Sequence, residues 1–317
     1  MKILYFEEHT KHNLKSHPEN SERIEGILDL LKDLAPVKKV KPEKNEEYIK
    51  KHHVYWEKIK NLCERMKEGE YRYLDPDTYL VKGTYEAAVA AVNLPFQAIE
   101  FDEKHVICLT RPPGHHASTH RWGGFCIFNN VGILAREIGE NFDKILILDL
   151  DYHHGNGTQE MILDARNVIY ISIHRFGVYP GTGFYTERGK GNIYNIPLDF
   201  SSVSDKEYWY VFQRIIIPIF QKYSPDIVLI SLGFDTYKYD PLGDWNLSKV
   251  WSAIYCFLRE YRTISLLEGG YRPLNIFFGL KEVMKGIEGK KSELEGEIRE
   301  DFKKYINDLS SYFLKAI

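Results

Sequence analysis

The sequence Lys144-Ile-Leu-Ile-Leu-Asp-Leu-Asp-Tyr-His-His154 carries an apolar run straight into carboxylate and imidazole side chains. Its apolar content predicts a strand that is covered on both faces. Side chains alternate faces along a strand, so Asp149, Asp151 and His153 would share one side if the strand stayed extended. Such groups are costly to bury unless a partner compensates them. A divalent metal ion is the simplest partner, and mixed His/Asp ligation suits zinc, with iron(II) as an alternative.

Five apolar runs of this kind are spread along the chain, and helical patterns separate most of them. The predicted strands cover residues 105–109, 145–151, 168–173, 227–232 and 263–267. The predicted helices between them cover residues 130–138, 157–163, 204–223 and 247–261. Alternation of helices with fully apolar strands is typical of α/β folds. We therefore predict an open parallel sheet with helices on both faces, in three layers.

The flanking segments have patterns of their own. We predict a strand at residues 2–6, a loop at 69–83, and helices at 18–35, 46–67, 84–100 (interrupted near Pro95) and within 289–317. Residues 192–198 fit either a short strand or an extended loop. The pair His52-His53 falls in a charged helical stretch and is predicted to be solvated. Without an internal repeat or a low-complexity linker, residues 1–317 are predicted to form a single domain.

Bulk composition argues against several classes of protein. The net charge is −3 at pH 7, so the overall electrostatics do not favour nucleic acid as a partner. No apolar run has membrane-spanning length, and the chain becomes acidic at Glu7 and Glu8, unlike a secretory signal. The four cysteines lack a Cys-x-x-Cys pair, which is typical of reduced thiols. We predict a cytoplasmic protein with no membrane partner and no direct nucleic-acid binding; the sequence indicates no oligomeric state.

Polar residues that can bind metal follow each of the five predicted strands. These segments cover residues 111–116, 149–154, 174–176, 233–235 and 268–271. In open α/β sheets, ligands bind beyond the carboxyl ends of the strands, so the segments predict one shared site. Asp151, His153 and Asp235 are the candidate metal ligands. Three protein ligands leave a position open for water or substrate, as in catalytic zinc sites.

Further residues at this edge are candidates for acid–base chemistry. His115 and His116 follow two prolines and a glycine that would hold a rigid turn, and neutral histidine suits proton transfer near neutral pH. Asp149 and Asn156 are candidate partners that fix the tautomers of the two rings. Tyr271 follows paired glycines and could donate its phenol proton to a developing oxyanion. A packed tyrosine in a turn is the alternative interpretation.

Two loops rich in glycine and aromatic residues lie at 123–126 and 179–183. Such loops can wall a narrow apolar slot, although core packing of Phe125 is the alternative. Cys126, in the first loop, has no basic or imidazole neighbour in the sequence. A nucleophilic role is therefore not predicted for its thiol.

Together these segments resemble the histone deacetylase superfamily, which includes acetylpolyamine amidohydrolases and acetoin-utilisation proteins. The likeness runs in order from about residue 9 to residue 285. The matching strings are Arg111-Pro-Pro-Gly-His-His-Ala117, Gly124-Phe-Cys-Ile-Phe-Asn-Asn130, Asp149-Leu-Asp-Tyr-His-His-Gly-Asn-Gly-Thr-Gln159, Ser172-Ile-His174, Tyr179-Pro-Gly-Thr-Gly183, Gly233-Phe-Asp235, Asp240-Pro-Leu-Gly243 and Glu268-Gly-Gly-Tyr271, with His17-Pro-Glu19, Arg23 and Gly83-Thr-Tyr-Glu-Ala-Ala88 nearer the N-terminus.

The resemblance implies a single deacetylase catalytic domain with an arginase/deacetylase-like fold. It assigns the zinc ligands, with iron(II) as an alternative, to Asp151, His153 and Asp235. It makes His115 and His116 the tandem catalytic histidines, with Asp149 behind the first and Asn156 behind the second, and makes Tyr271 the transition-state tyrosine. It assigns the walls of the acyl-lysine tunnel to Gly124, Phe125, Tyr179 and Leu242. It places a structural potassium ion on main-chain oxygens of Asp149, Asp151 and His153, with Ser172 and Ile173.

The implied activity is metal-dependent hydrolysis of an acetyl-lysine side chain or of another acetylated amine. Two features depart from the commonest family pattern: Asn156 stands where some members have Asp, and Tyr179 stands where Phe is common. Small-molecule amidohydrolysis, such as acetylpolyamine deacetylation, stays open as an alternative. So does a catalytically silent metal-binding scaffold. An arginase-like dimetal site would need Asp-x-Asp, but Thr236 and Tyr237 follow Asp235.

Overall fold

The computed structural model describes residues 1–315. The strands are β1 (Lys2–Phe6), β2 (Val37–Val40), β3 (Tyr71–Tyr73), β4 (Tyr79–Val81), β5 (His105–Cys108), β6 (Ile145–Asp149), β7 (Val168–Arg175), β8 (Ile193–Leu198), β9 (Ile227–Leu232) and β10 (Thr263–Leu267). Eight of them form one parallel sheet in the order β2-β1-β5-β10-β9-β6-β7-β8. The other two, β3 and β4, form a separate antiparallel pair.

Helices connect most of these strands. They are α1 (Glu22–Glu25), α2 (Leu28–Lys32), α3 (Glu47–His52), α4 (Trp56–Arg65), α5 (Thr84–Glu100), α6 (Asn130–Glu137), α7 (Asn156–Ile162), α8 (Asp205–Val211), α9 (Ile217–Tyr223), α10 (Val250–Leu258), α11 (Pro273–Ile287) and α12 (Glu300–Lys315). Short 3-10 turns lie at Glu7–Lys11 and Ile138–Glu140, and a π turn at Phe212–Ile216 joins α8 to α9. No helix within residues 1–315 is long and apolar enough to cross a bilayer.

Successive strand residues point into two different cores. Leu146 and Leu148 pack in one cluster with side chains from α8 to α12. Ile145 and Ile147 pack in the other cluster with side chains from α4 to α7. Because both faces of the strand are buried, each apolar run is continuous rather than alternating. The predicted three-layer sheet with helices on both faces is therefore confirmed.

The five strands predicted from apolar runs are neighbours in the sheet, in the order β5-β10-β9-β6-β7. They run parallel, so their carboxyl ends meet at one edge. In the register, Asp149 pairs with Ser172 of β7 on one side and with Ser231 of β9 on the other. This arrangement brings the polar segments after these strands to one place, as the sequence predicts.

Several local predictions are wrong. Helix α5 runs without interruption through Pro95, because burial of most of its length outweighs the one backbone hydrogen bond that a proline removes. Residues 69–83 contain the β3–β4 pair rather than only a loop. The helix predicted at 18–35 is broken into α1 and α2.

Two elements were not predicted at all. Edge strand β2 is Val-Lys-Lys-Val and partly exposed, so it lacks the continuous apolar run used to find the others. Helix α11 is absent from the predicted elements, although Ile276, Leu280 and Val283 are buried on it at the spacing of one helical face. For residues 192–198, the structure favours the strand alternative, since β8 covers most of that range.

The prediction that His52-His53 is solvated is also wrong. Helix α3 ends at His52, and the chain then turns inward, so that His53 is fully buried. The His53 Nδ1–H donates to the carbonyl of Ser118 at 2.8 Å, and its Nε2 accepts from the Asn129 N–H at 2.9 Å. The His52 ring contacts Glu137 at 2.6 Å. The charged sequence around the pair reflects only the outer faces of α3 and α4.

Buried histidines of this kind should make the fold sensitive to mild acid. Burial lowers the pKa of His9 to about 3, of His12 to about 4 and of His53 to about 3. In the unfolded chain these rings titrate near pH 6.5. Between pH 6.5 and 5 the unfolded state therefore binds more protons, and the free energy of unfolding falls as the pH falls.

Each such ring contributes a slope of up to about 1.4 kcal/mol per pH unit. Urea unfolding at pH 7.5, 6.0 and 5.0 measures this slope, and His53→Gln should make it shallower. Asp235 and Glu268, whose pKa burial raises to about 7, titrate in the same window with the opposite sign, so the difference in slope between wild type and His53→Gln is the measure. An unchanged slope in His53→Gln would contradict the prediction.

Candidate active site

The predicted metal ligands meet beyond the ends of β6 and β9. Strand β6 stops at Asp149, so the chain does not stay extended to His153, and the geometry first predicted for this stretch does not hold. A turn brings Asp151 and His153 to Asp235 instead, and one donor atom from each lies within 4.8 Å of the others. Nδ1 of His153 is 3.3 Å from Oδ1 of Asp151 and 3.0 Å from Oδ2 of Asp235.

These three side chains fit a divalent cation. Both carboxylates are buried, and within residues 1–315 their only ion-pair contacts are with histidines, not with lysine or arginine. Burial, followed by the charge of Asp151, raises the pKa of Asp235 to about 7. A bound cation would supply the missing positive charge. One imidazole and two carboxylates are a donor set that zinc accepts.

Two glycines make room for this cluster. A Cβ on Gly233 would lie 2.3 Å from Oδ2 of Asp151, and a Cβ on Gly269 would lie 2.5 Å from Oδ2 of Asp235. Any larger residue at either position would push a carboxylate away. Gly233 of Gly-Phe-Asp and Gly269, the first glycine of Glu-Gly-Gly-Tyr, are thus explained by close packing against the predicted ligands.

His115 lies beneath the cluster. Its Nδ1 is 3.2 Å from Oδ2 of Asp149, which also accepts from the Tyr170 hydroxyl at 2.8 Å. Its Nε2 is 3.7 Å from Oδ1 of Asp151. Burial disfavours a charged ring, but the carboxylates of Asp151 and Asp149 outweigh it and raise the pKa of His115 to about 10. The arrangement favours a positively charged His115.

His116 has a different environment. Its Nδ1 is 2.8 Å from Oδ1 of Asn156. An amide oxygen only accepts, so Nδ1 carries the hydrogen and Nε2 is left as a free base. Burial, and then the charges of His115 and His153, lower the pKa of His116 well below its usual value. The two adjacent histidines are therefore held in opposite charge states.

A cavity of about 190 Å³ opens above these groups. It is lined by Asp77, His116, Gly124, Phe125, His153, Tyr179, Leu242 and Tyr271. All four predicted wall residues and the predicted tyrosine are thus brought around one space, together with one histidine of the pair and one predicted metal ligand. A larger groove of about 590 Å³ between Ser202 and Arg299 contains none of the predicted site residues, and we do not associate it with this chemistry.

The wall segment Gly124-Phe125 has an unusual backbone. Both residues have positive φ angles, 53° at Gly124 and 69° at Phe125. A Cβ on Gly124 would lie 2.3 Å from Cδ2 of His116. The Phe125 ring lies edge-on to Tyr271, with centroids 5.6 Å apart. The turn, strained at Phe125, therefore places Gly124 against the His116 ring and the Phe125 ring against Tyr271.

The segment that ends in Tyr271 is held by several polar contacts. Nε of Arg23 donates to the carbonyl of Gly270 at 2.6 Å, and its guanidinium lies 5.0 Å from the Tyr271 ring centroid. Oδ2 of Asp240 accepts from the Tyr271 N–H at 2.8 Å, and its Oδ1 accepts from the Leu242 N–H at 3.1 Å. Asp240 thereby joins the tyrosine to one wall of the cavity.

Sequence reasoning assigned no role to several of these residues. Asp77 lies in a segment that was predicted to be a loop, and nothing local marks it as facing a cavity. Arg23, Asp240 and Glu268 lie inside the family-like strings. A charged residue within a motif rich in glycine and proline was the one sequence feature that could have indicated a role for these residues. It does not indicate their contact partners, which are distant in sequence.

A second group of possible metal donors lies deeper. One polar atom each of His115, Cys126 and Glu268 lie within 4.8 Å of one another. Both nitrogens of His115 already face carboxylates, those of Asp149 and Asp151. We therefore favour the Asp151–His153–Asp235 cluster as the metal site. For the predicted potassium site, the structure places Ser172 beside Asp149 in the register, with Ile173 following, and the site stays a prediction.

Fold and site together define an α/β protein with a candidate metal centre at the carboxyl edge of its sheet. The sequence profile of the histone deacetylase domain matches residues 17–287. The Methanocaldococcus jannaschii protein MJ0535 is 38% identical over 291 residues, which cover 85% of this chain and 82% of that protein. A probable deacetylase of Methanothermobacter thermautotrophicus is 31% identical over 333 residues and 99% of both chains.

A solved structure gives the same result. The HD domain of HDA15 superposes with a TM-score of 0.90 at 28% identity, over 99% of this chain and 96% of that one. The chain belongs to the histone deacetylase family, as its motifs suggest. It spans only 34%, 44% and 43% of the length of three eukaryotic histone deacetylases that it also matches, from Caenorhabditis elegans, Arabidopsis thaliana and Schizosaccharomyces pombe.

Proposed function

We propose that this protein is a metal-dependent deacetylase that hydrolyses the amide of an acylated amine, such as acetyl-lysine. Family membership supports a hydrolytic deacetylase. The observation that carries the proposal is the cavity of about 190 Å³, which is lined by His116 and by His153, one member of the Asp151–His153–Asp235 cluster. A slim acyl-amine stem fits such a space, and its carbonyl would reach the cluster. Hydrolysis adds water across the C–N bond and yields a carboxylate and a free amine.

Zinc is the ion we propose, with iron(II) as the alternative, held by Asp151, His153 and Asp235. When bound, such an ion polarises a carbonyl and lowers the pKa of a water molecule. A structural potassium ion on main-chain oxygens of Asp149, Asp151 and His153, with Ser172 and Ile173, is part of the same proposal. Metal analysis of the purified protein tests both ions.

The chain's own residues would move the protons. His116 has its free Nε2 on the cavity side and is neutral, so we assign it the removal of a proton from water. His115, charged by its contacts with Asp149 and Asp151, would supply positive charge below the reacting centre and keep the pair oriented. Tyr271 would donate a hydrogen bond from its hydroxyl to the oxyanion of the tetrahedral intermediate and would keep its proton. The protonated His116 would then return its proton to the leaving amine.

The mutation Tyr271→Phe tests the oxyanion assignment. We expect kcat to fall by about 10²–10³, because one pre-organised donor is lost. Stability should change little, since a phenylalanine ring can still pack against Phe125. The measurement is kcat on an acetyl-lysine peptide alongside the melting temperature. Tyr237→Phe removes a tyrosine hydroxyl outside the cavity and serves as the control; equal losses in both variants would argue against the role of Tyr271.

A second candidate function is deacetylation of an acetylated polyamine or similar small amine. The observation in its favour is the Asp77 carboxylate on the cavity wall, which could pair with a second cationic group of the substrate. A turnover screen with acetyl-lysine peptides, acetylpolyamines and longer acyl-lysines, each with zinc and with iron(II), separates the two candidates. Tight hydroxamate binding without turnover of any of these amides would instead favour a catalytically silent scaffold.

A further inference from the structure

Glu268 connects two segments that both contribute to the candidate site. It follows strand β10 and is fully buried. Its Oε2 accepts from the N–H of Gly114 at 2.8 Å and from the N–H of His115 at 3.2 Å. Glu268 is not among the residues that line the cavity. Its side chain therefore acts on the main chain below the histidine pair rather than on a substrate.

The other end of this connection is anchored as well. The Glu268 carbonyl accepts from a guanidinium nitrogen of Arg23, and the same guanidinium holds the carbonyl of Gly270. The Gly269 N–H donates to Oδ2 of Asp151 at 2.7 Å. The segment that ends at Tyr271 is thus fixed on its own side. Through its hydrogen bonds to the N–H groups of Gly114 and His115, the Glu268 carboxylate fixes the histidine pair relative to this segment.

Burying a carboxyl group is energetically unfavourable unless its oxygens are hydrogen-bonded. Oε1 of Glu268 has no hydrogen-bond partner in the described structure, and an unpaired buried polar atom destabilises the folded state. Burial raises the pKa of this carboxyl to about 7. Near neutral pH, Oε1 can hold the proton while Oε2 still accepts both N–H groups. An apolar residue would avoid this cost but would leave two buried N–H groups unpaired.

We propose that Glu268 is a positioning residue, whose carboxylate sets the distance between the His115-His116 pair and Tyr271. The inference rests on the proposed function, because it takes these side chains to act on one reacting group. Displacements of about 1 Å in a catalytic constellation can cost on the order of 10² in rate. A second link between the segments, from the Thr110 hydroxyl to the Leu267 carbonyl at 2.8 Å, should keep a Glu268 variant folded.

The test compares Glu268→Ala and Glu268→Gln with a matched control. Asp205 is also a fully buried carboxylate that accepts main-chain N–H groups, those of Ser248, Lys249 and Val250, but it lines no part of the cavity. We expect Glu268→Ala to lower kcat by about 10–10² with little change in KM and in bound metal. Glu268→Gln keeps an accepting oxygen and should retain more activity. Asp205→Ala should lower the melting temperature without this loss of kcat.

A crystal structure of Glu268→Ala provides a readout that does not depend on activity. We expect the His116 ring and the Tyr271 ring to move relative to each other by about 1 Å. If the wild-type protein turns over no acylated amine, the proposed function fails, and this displacement still decides the role of Glu268. Unchanged ring positions would overturn the inference. So would a wild-type kcat in Glu268→Ala, or a loss of kcat no larger than that in Asp205→Ala.

Discussion

Replacing Asp235 with asparagine is expected to abolish tight metal binding and to lower turnover by at least about 10³. The lost carboxylate is one of only three donors in the predicted set, and it is buried with no lysine or arginine nearby among the described residues to take over its role. A bound ion would supply several kcal/mol of charge stabilisation, and each 1.36 kcal/mol is a factor of ten in rate. The change is nearly isosteric, so the fold should survive.

Metal content by elemental analysis and kcat/KM on the best substrate of the screen measure this effect. Asp205→Asn, at a buried carboxylate outside the cavity, is the control. The wild-type protein should hold about one transition-metal ion per chain at this site. A ratio near two would revive the arginase-like dimetal interpretation. Full metal content in Asp235→Asn would remove Asp235 from the ligand set.

Replacing His116 with alanine should lower kcat by about 10²–10⁴ while leaving the bound metal in place. That range is typical for the loss of a general acid–base group. His116 is the histidine of the pair that lines the cavity, and its Nε2 is free because Nδ1 is committed to Asn156. Alanine removes the base without touching Asp151, His153 or Asp235.

The exposed His120 on the same segment provides a matched control. His120→Ala should retain wild-type kcat. Comparing the kcat values of the two variants at equal metal content separates an effect on proton transfer from an effect of metal loss. Wild-type turnover in His116→Ala would remove His116 from the role of base.

The central sheet, and the meeting of the candidate site residues at one edge of it, could be predicted because both depend on local patterns. Fully buried parallel strands produce continuous apolar runs, and the five such runs are five neighbouring strands. The polar ends of those strands meet by geometry alone. The path beyond each strand could not be predicted in the same way, because Asp151 and His153 meet through a turn rather than along an extended chain.

The contacts between residues that are distant in sequence could not be predicted either. His53 has no local pattern that distinguishes it from His52, yet His53 is fully buried between two main-chain groups, whereas His52 makes a part-buried contact with Glu137 of α6. Arg23 and Gly270 are 247 positions apart in the chain. Such partners come together only in the folded structure. The periodicity of a helix or strand in the sequence does not indicate which distant residues will be in contact.

The position of β10 in the sheet determines when the candidate site can form during synthesis. This strand is the last of the sheet to leave the ribosome, yet it inserts between β5 and β9. Before β10 inserts, β5 and β9 have no strand between them, so the sheet consists of two separate parts. Tyr271, which follows β10, cannot then lie near His116. A nascent chain should therefore lack the completed candidate site until β10 and the segment that ends at Tyr271 have emerged.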